Sequence, residues 1–231
     1  WIGEAIPIPA TALLPVVLFP LLGVMPVESA TANYANHLVF LFLGGFWIAA
    51  AVEHCNLHRR IALHVLRLMG TRADRIVFGF MAATAFLSMW LSNTATTMMM
   101  LPIAMAVASR LGGKTQTAFG RVLMLGIAYS ASIGGVATLI GTPPNAVLAG
   151  ILEKTQDITI SFWEWMQFGV PLALLMLVIC WWYLTHVNAR LGELEAASGS
   201  GLFVAELASL GRVTTAERRV LAVFSTVASL W

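Results

Sequence analysis

The sequence contains few charged residues. Only 10% of its 231 residues are Asp, Glu, Lys or Arg, whereas 59% are hydrophobic and the mean hydropathy is +0.84. A soluble domain carries about 25% charged residues, so this composition excludes an ordinary soluble protein. Four long stretches contain no charged residue at all: 5–27, 76–109, 122–152 and 165–185. Because about 20 apolar residues cross the hydrocarbon core of a bilayer, we predict an all-α polytopic membrane protein.

Cysteine is scarce as well, and the groups that would support catalysis are missing from the apolar segments. Cys55 and Cys180 are isolated thiols, which we expect to be packing residues rather than a disulfide or a metal pair. Neither 76–109 nor 122–152 contains a His or Lys that could activate a serine. An intramembrane serine protease is therefore not expected, and the chain is not predicted to be an enzyme.

The basic residues that are present fall in three blocks. Twelve of the thirteen Lys and Arg residues belong to them, and Lys154 stands alone. The blocks are Arg59, Arg60, Arg67, Arg72 and Arg75; Arg110, Lys114 and Arg121; and Arg190, Arg212, Arg218 and Arg219. Basic loops favour the cytoplasmic side of a membrane. Segments 5–27 and 37–52 then form one pair of spans, and 122–152 and 161–186 form another, with Lys154 in the outer loop.

Segment 76–109 must begin and end on the cytoplasmic side, because a basic block flanks each end. Its middle is the polar run Ser92–Thr97, which leaves two apolar arms. At 1.5 Å per residue each arm reaches roughly 18–24 Å, which is too short to cross about 30 Å of hydrocarbon but long enough to reach the middle of the membrane. We therefore predict a re-entrant helical hairpin whose polar tip lines a cavity, with Thr94, Thr96 or Thr97 capping the returning helix.

The polar tip suits two kinds of ion. The returning helix presents free N–H groups and the positive end of its dipole, which favour an anion. The incoming helix ends in carbonyl groups, which together with hydroxyl oxygens favour a cation such as Na⁺. Discontinuous helices that do both are typical of secondary transporters. In the alternative interpretation, the hydroxyl groups only form hydrogen bonds between packed helices.

A second interruption occurs in 122–152. Two prolines break the helix there, and glycine lets the backbone approach a ligand closely. The residues that we expect to support this break are Gly134, Gly135, Gly141, Thr142, Pro143, Pro144 and Asn145. The segment is therefore predicted to be a broken transmembrane helix that meets the hairpin around one ion.

Two further segments look cytoplasmic. Residues 57–70 alternate leucines with Arg and His, which fits an amphipathic helix in the membrane interface or an ordinary basic connecting helix. Residues 191–211 contain a Ser-Gly turn cluster and are predicted to be a linker, and a further span begins near Val220.

At these positions the chain resembles the divalent anion:sodium symporter family, the dicarboxylate, citrate and sulfate carriers. The motifs that carry the resemblance are "SNT" at 92–94 with Ser88 one turn before it, "IGGVATLIGTPPN" at 133–145 and "WIGEAIPIPATALLPVVLFPLLGV" at 1–24. The resemblance covers nearly the whole chain.

The resemblance implies a sodium site built from Ser88, Ser92, Asn93 and the backbone near Gly141. It implies that Ser92, Asn93 and Thr94 also contact a carboxylate of the substrate. It further implies a homodimer that works as an elevator, with 1–75 in the scaffold, 76–190 in the transport part, and 191–231 as the linker and the start of the next span. Since the family has two Ser-Asn-Thr hairpins and this chain has one, we expect it to be the first inverted repeat, about half of a carrier and unable to transport alone.

The expected function is sodium-coupled secondary active transport of a C4-dicarboxylate such as succinate or malate across the plasma membrane, in a bacterium the inner membrane. A sodium-independent exchanger, or a sulfate or citrate carrier of the same family, is the alternative. A channel would also use a re-entrant loop, but it would favour repeated carbonyls in symmetric subunits.

Overall fold

The structure is a computed structural model that describes residues 6–32, 34–70, 72–109, 113–188 and 199–230. In these ranges the chain forms eleven α-helices and one π-helical turn, as expected for an all-α protein. Contacts divide the chain into two compact units, residues 1–44 and 45–231.

The first unit contains α1 (Ile8–Leu21), α2 (Val27–Ala32) and the beginning of α3 (His37–His54). Helix α1 has only 14 residues, a rise of about 21 Å, and is thus shorter than the predicted span 5–27. It ends before Gly23, whose positive φ of 66° favours glycine. The Tyr34 hydroxyl donates a hydrogen bond to the carbonyl oxygen of Ala12 at 2.7 Å, which joins α1 to the connection between α2 and α3.

Three helical segments are long and apolar enough to cross a membrane. They are α3, residues Ala118–Val136 of α7 (Gly113–Val136), and Phe162–Asn188. The last segment consists of α9 (Phe162–Trp182) and the π-helical turn Tyr183–Asn188. These segments coincide with parts of the predicted spans, and the chain is a multi-pass membrane protein.

The predicted hairpin segment forms two helices of equal length. Helices α5 (Ala73–Ser88) and α6 (Asn93–Ala108) have 16 residues each, about 24 Å, and four residues connect them. Most of α5 is buried, with Ile76, Phe80 and Met81 fully enclosed in the hydrophobic core. Two helices joined by a short connection are therefore observed, whereas their re-entrant placement in a membrane stays a prediction.

The second interruption is also visible, at slightly different residues than predicted. Helix α7 continues to Val136, the chain is irregular from 137 to 142, and α8 (Pro143–Gln156) follows. Gly134 and Gly135 thus lie in the last turn of α7 and not in the break. The two prolines start α8, where the first helical positions need no N–H donor.

The basic segment after α3 forms α4 (Leu57–Leu68), and its apolar face packs inside the protein. Ala62, Leu63 and Leu66 are fully buried, and the helix contacts α5 and α10 (Gly199–Ser209). Residues 199–209 of the predicted linker 191–211 form α10, and Phe203 of that helix packs against Phe80, whereas the cytoplasmic position of the linker stays a prediction. Residues 191–198 lie outside the described ranges. Helix α11 (Thr215–Leu230) ends the chain.

Candidate functional site

Ser88 and Asn93 meet where α5 ends and α6 begins. The Ser88 side chain is fully buried, and its Oγ lies 2.6 Å from Asn93 Oδ1 and 2.7 Å from the carbonyl oxygen of Ala131 in α7. A serine hydroxyl has a single proton, so it can donate to only one of these two acceptors at a time. With the Asn93 amide oriented in this way, the site holds more oxygen lone pairs than hydrogen-bond donors.

The tip of the hairpin is accessible. Ser92 and Thr94 are exposed, and Asn93 is half-buried between them. Ser92 Oγ accepts a hydrogen bond from the N–H of Ala95 at 3.2 Å and so caps α6. The prediction that Thr94, Thr96 or Thr97 caps this helix is wrong, because an N-cap needs an extended backbone and those three residues are already helical. The tip therefore presents hydroxyl groups beside the positive end of a helix dipole.

Glycine allows α7 and the break to approach the hairpin. A Cβ atom on Gly135 would lie 2.7 Å from Asn93 Oδ1, and one on Gly141 would lie 2.5 Å from the carbonyl oxygen of Gly135. A Cβ on Gly134 would lie 2.2 Å from the carbonyl oxygen of Ala85. Asn93 and the backbone of Gly141 thus both lie against Gly135, and Ser88 contacts Asn93, whereas Ser92 is exposed at the tip.

Hydrogen bonds hold the break in place. The buried Asn145 amide nitrogen donates to the carbonyl oxygens of Gly135 at 2.9 Å and Thr138 at 2.7 Å. The Thr138 hydroxyl donates in turn to the carbonyl oxygen of Met89 at 2.5 Å, in the connection of the hairpin. The Trp165 indole N–H donates to the carbonyl oxygen of Val136 at 3.0 Å. The bonds to Gly135 and Val136 satisfy backbone carbonyls that the end of α7 would otherwise leave unpaired.

The remaining predicted residues shape the backbone. Thr142 is the half-buried N-cap of α8, without a hydrogen bond from its side chain to the helix, and Pro143 and Pro144 are exposed. Sequence reasoning missed the Ala131 carbonyl, Thr138 and Trp165. Thr138 is a polar residue in an apolar run, so its position was a usable signal, whereas a backbone carbonyl leaves no trace in the sequence.

The site contains no formal charge of its own, because 76–109 and 122–152 lack Asp, Glu, Lys and Arg. Its polar groups are hydroxyl, amide and carbonyl oxygens, which are the ligands that hard cations prefer. The surplus of oxygen lone pairs around Ser88 fits a small cation, and the close approach of Gly141 to the Gly135 carbonyl brings backbone oxygen near Asn93. The residues present are thus compatible with Na⁺.

Comparisons with known proteins identify the family of the chain. A family model described as citrate transporter matches residues 1–231. The chain is 41% identical over 239 aligned residues to the sodium-dependent dicarboxylate transporters SdcS of Staphylococcus saprophyticus subsp. saprophyticus and Staphylococcus aureus strain USA300. The alignments cover 100% of this chain but 46% of each relative, so the chain spans about half the length of the curated relatives it matches.

The family model covers the whole chain, and the relatives are transporters rather than enzymes. The helices, the candidate spans and the oxygen-rich site are consistent with a membrane carrier. The chain therefore belongs to the citrate transporter family of membrane carriers, within the divalent anion:sodium symporters that its hairpin and Gly-Thr-Pro-Pro-Asn motifs resemble.

Proposed function

We propose that this chain supplies about half of a carrier that couples the entry of Na⁺ to the uptake of a divalent organic anion such as succinate or malate across the plasma membrane. The observation that carries the proposal is the cluster of Ser88, Asn93 and the Ala131 carbonyl, where one hydroxyl proton faces two oxygen acceptors. An oxygen-rich, uncharged cluster at the start of a helix suits a cation and an anion side by side.

The proposed sodium site consists of Ser88, Ser92, Asn93 and the backbone near Gly141. Na⁺ supplies the positive charge that a dianion needs in a segment without Lys or Arg. The chain would contribute uncharged oxygen ligands held at fixed positions around the ion. Gly135 and Gly141 bring the backbone within contact distance, and Asn145 fixes the carbonyl of Gly135.

The proposed substrate contacts are Ser92, Asn93 and Thr94. The exposed hydroxyl groups of Ser92 and Thr94 are available to a carboxylate, and the N-terminal N–H groups of α6 add partial positive charge. Asn93 belongs to both sets, so the cation and the carboxylate would share one amide. That sharing would make anion binding depend on Na⁺.

The proposed transport mechanism is an elevator in a homodimer, with a re-entrant hairpin 76–109 and a broken transmembrane helix 122–152 that move together. Support comes from the contacts between these two elements. Gly134 packs on the Ala85 backbone, and Thr138 donates to the Met89 carbonyl. An ion site built from both elements keeps its geometry only if they move as one body. The segment 1–75 would belong to the static scaffold.

A carrier for citrate is the second candidate, because the family model that matches the chain is described as a citrate transporter. Hydroxyl and amide donors serve a tricarboxylate, a dicarboxylate or sulfate equally well. A competition panel of unlabelled succinate, malate, citrate and sulfate against radiolabelled succinate, with and without Na⁺, distinguishes these substrates. Equal uptake without Na⁺ would favour a sodium-independent exchanger.

The decisive test is the substitution Asn93→Ala in the intact protein that contains this chain. We expect it to abolish Na⁺-dependent succinate uptake while leaving the amount of protein in the membrane unchanged, because it removes an oxygen shared by both proposed ligands. Ser109→Ala, an exposed hydroxyl just beyond α6, is the control and should transport normally. Unchanged uptake by Asn93→Ala would reject this assignment of the site.

A further inference from the structure

Thr96 has a buried hydroxyl group without a hydrogen-bond partner. Its side chain is fully enclosed, and within the part of the chain that the structure describes its Oγ1 meets no donor or acceptor. Thr84 and Thr97, in the same hairpin, instead donate to the backbone carbonyl four residues earlier, at 2.6 and 2.7 Å. Burying an unpaired hydroxyl destabilises the folded state. A bound ligand that contacts the Thr96 oxygen would remove this destabilisation.

The packing of α6 against α7 shows where this hydroxyl lies. At the tip, the side chain of Asn93 lies against Gly135, and at the other end Ala108 lies against Gly120. The two helices therefore run antiparallel, so residue numbers that increase along α6 are paired with residue numbers that decrease along α7. Thr96 follows Asn93 by three residues, so this register puts it level with Ser132, which precedes Gly135 by three residues. Ser132 is next in the chain to Ala131, whose carbonyl oxygen contacts Ser88.

The buried face of α6 shows on which side of the helix Thr96 lies. Thr96, Met100, Ala104 and Val107 are buried at helical spacing, which forms one stripe on the side that packs in the core. Thr96 is the first member of this stripe after the tip. It is therefore one helical turn below Asn93, on the inner side of the hairpin.

We propose that the Thr96 hydroxyl is an additional oxygen ligand of the sodium site. This inference rests on the proposed sodium coupling and adds a residue that neither the motif nor the resemblance assigned. A cation accepts the lone pairs of the hydroxyl oxygen, which gives the buried group the partner it lacks. Thr96 would then approach the ion from the cytoplasmic side of the cluster, opposite the exposed tip that faces the substrate.

The test measures Na⁺ binding without substrate, so it does not depend on transport. The intact protein that contains this chain is purified, and its melting temperature is followed as NaCl replaces choline chloride at constant ionic strength. Thr96→Val keeps the shape of the side chain but lacks the oxygen. We expect it to raise the half-saturating Na⁺ concentration by about tenfold or more, as the loss of a group that supports a metal site does.

Two variants serve as controls. Thr96→Ser retains the hydroxyl and should keep the parent's half-saturating Na⁺ concentration. Thr97→Val removes a hydroxyl that donates to the Asn93 carbonyl within the helix and should likewise leave Na⁺ binding unchanged. Without Na⁺, Thr96→Val should melt no lower than the parent, because it deletes an unpaired buried oxygen. Should Thr96→Val fail to fold, Thr96→Ala replaces it in the same titration.

The outcomes separate this inference from the function on which it rests. If the parent responds to Na⁺ and Thr96→Val responds at the same concentration, the ligand role of Thr96 is overturned and sodium coupling stands. A Thr96→Val protein that melts lower without Na⁺ yet binds Na⁺ normally has lost a structural hydroxyl, which also overturns the inference. If the melting temperature of the parent does not change with Na⁺, both the proposed sodium coupling and the ligand role of Thr96 are overturned.

Discussion

At the scale of single residues, this site depends on the absence of side chains as much as on their presence. Gly134, Gly135 and Gly141 lie where a Cβ atom would overlap a carbonyl oxygen or the Asn93 amide. Their role is to let three stretches of backbone meet. The Ser88 Oγ can then lie 2.6 Å from Asn93 Oδ1 and 2.7 Å from the carbonyl oxygen of Ala131.

Gly134→Ala should destabilise the protein. The new Cβ would lie 2.2 Å from the carbonyl oxygen and 2.6 Å from the Cα of Ala85, and because both are backbone atoms, α5 and α7 must separate. We expect a loss of about 1–3 kcal/mol, seen as a lower melting temperature in detergent.

Gly120→Ala is the matched control in the same helix. Its Cβ would make an ordinary contact at 3.7 Å with the Ala108 Cβ, and replacing a helical glycine stabilises by about 0.5–1 kcal/mol. Equal melting temperatures for the two variants would contradict the tight contact between α5 and α7.

At the scale of elements, α4 is fastened to the segment between α10 and α11. Arg60 is buried, and its Nε donates to Glu217 Oε1 at 2.8 Å while its other nitrogens donate to the carbonyl oxygens of Gly211 and Leu210. Glu217 also accepts from the Thr214 N–H and thereby completes the cap of α11. One ion pair thus fixes the first turn of α11 against the first turn of α4.

This ion pair predicts a dependence of stability on pH. The hydrogen bond from Arg60 holds the pKa of Glu217 below its ordinary value. A carboxylate whose pKa is lower in the folded state stabilises the protein above its unfolded pKa, about 4.3, and this contribution disappears as the pH falls through the folded-state pKa. Glu217→Gln should therefore lower the melting temperature near pH 7, and the difference from the parent should shrink below about pH 4.

The control for this pH series is Glu206→Gln. Glu206 pairs with Arg59, but both side chains are more than a third exposed, so water weakens the pair. Its substitution should change the melting temperature little at any pH. A difference between Glu217→Gln and the parent that is the same at pH 7 and below pH 4 would argue against the ion pair as the stabilising contact.

At the scale of the whole molecule, the arrangement in a membrane follows from lengths and charges. α5 and α6 each rise about 24 Å, less than the roughly 30 Å of hydrocarbon, whereas α3, α7 and α9 are long enough to cross. In the sequence, the first two basic blocks flank the pair of short helices. This combination favours a hairpin that enters and leaves by the same side.

Cysteine labelling tests that topology. In a protein with Cys55 and Cys180 replaced by serine, Arg75→Cys and Ser109→Cys should both react with an impermeant thiol reagent only from the cytoplasmic side. Both native residues are exposed at the outer ends of the hairpin helices. Lys154→Cys, exposed near the end of α8, should react from the other side. Labelling of the first two positions from opposite sides would mean that the hairpin crosses the membrane, and the proposed site would be lost.

Much of the site could be predicted because its signals are local. A run of hydroxyl and amide residues at 92–97 in an apolar segment marks the tip, and two prolines at 143–144 mark the start of a helix, whatever the neighbours are. Of the predicted sodium ligands, Ser88 contacts Asn93, and Gly141 lies against Gly135, whose own position faces Asn93; their role in binding Na⁺ stays a prediction. The cap of α6 was assigned to the wrong residue because several hydroxyl groups in a row offer equivalent caps.

The sequence by itself determined that this protein is a bundle of apolar helices with two polar interruptions, because composition, proline and helix length act within a single segment. Only the tertiary structure decided that the Ala131 carbonyl completes the cluster, that Thr138 ties the break to Met89, and that Arg60 is a buried anchor rather than a surface charge. Each of these contacts joins a side chain to a backbone or a carboxylate far away in the chain. Such a pairing depends on how the helices pack against each other, so it cannot be predicted from the residues of a single segment.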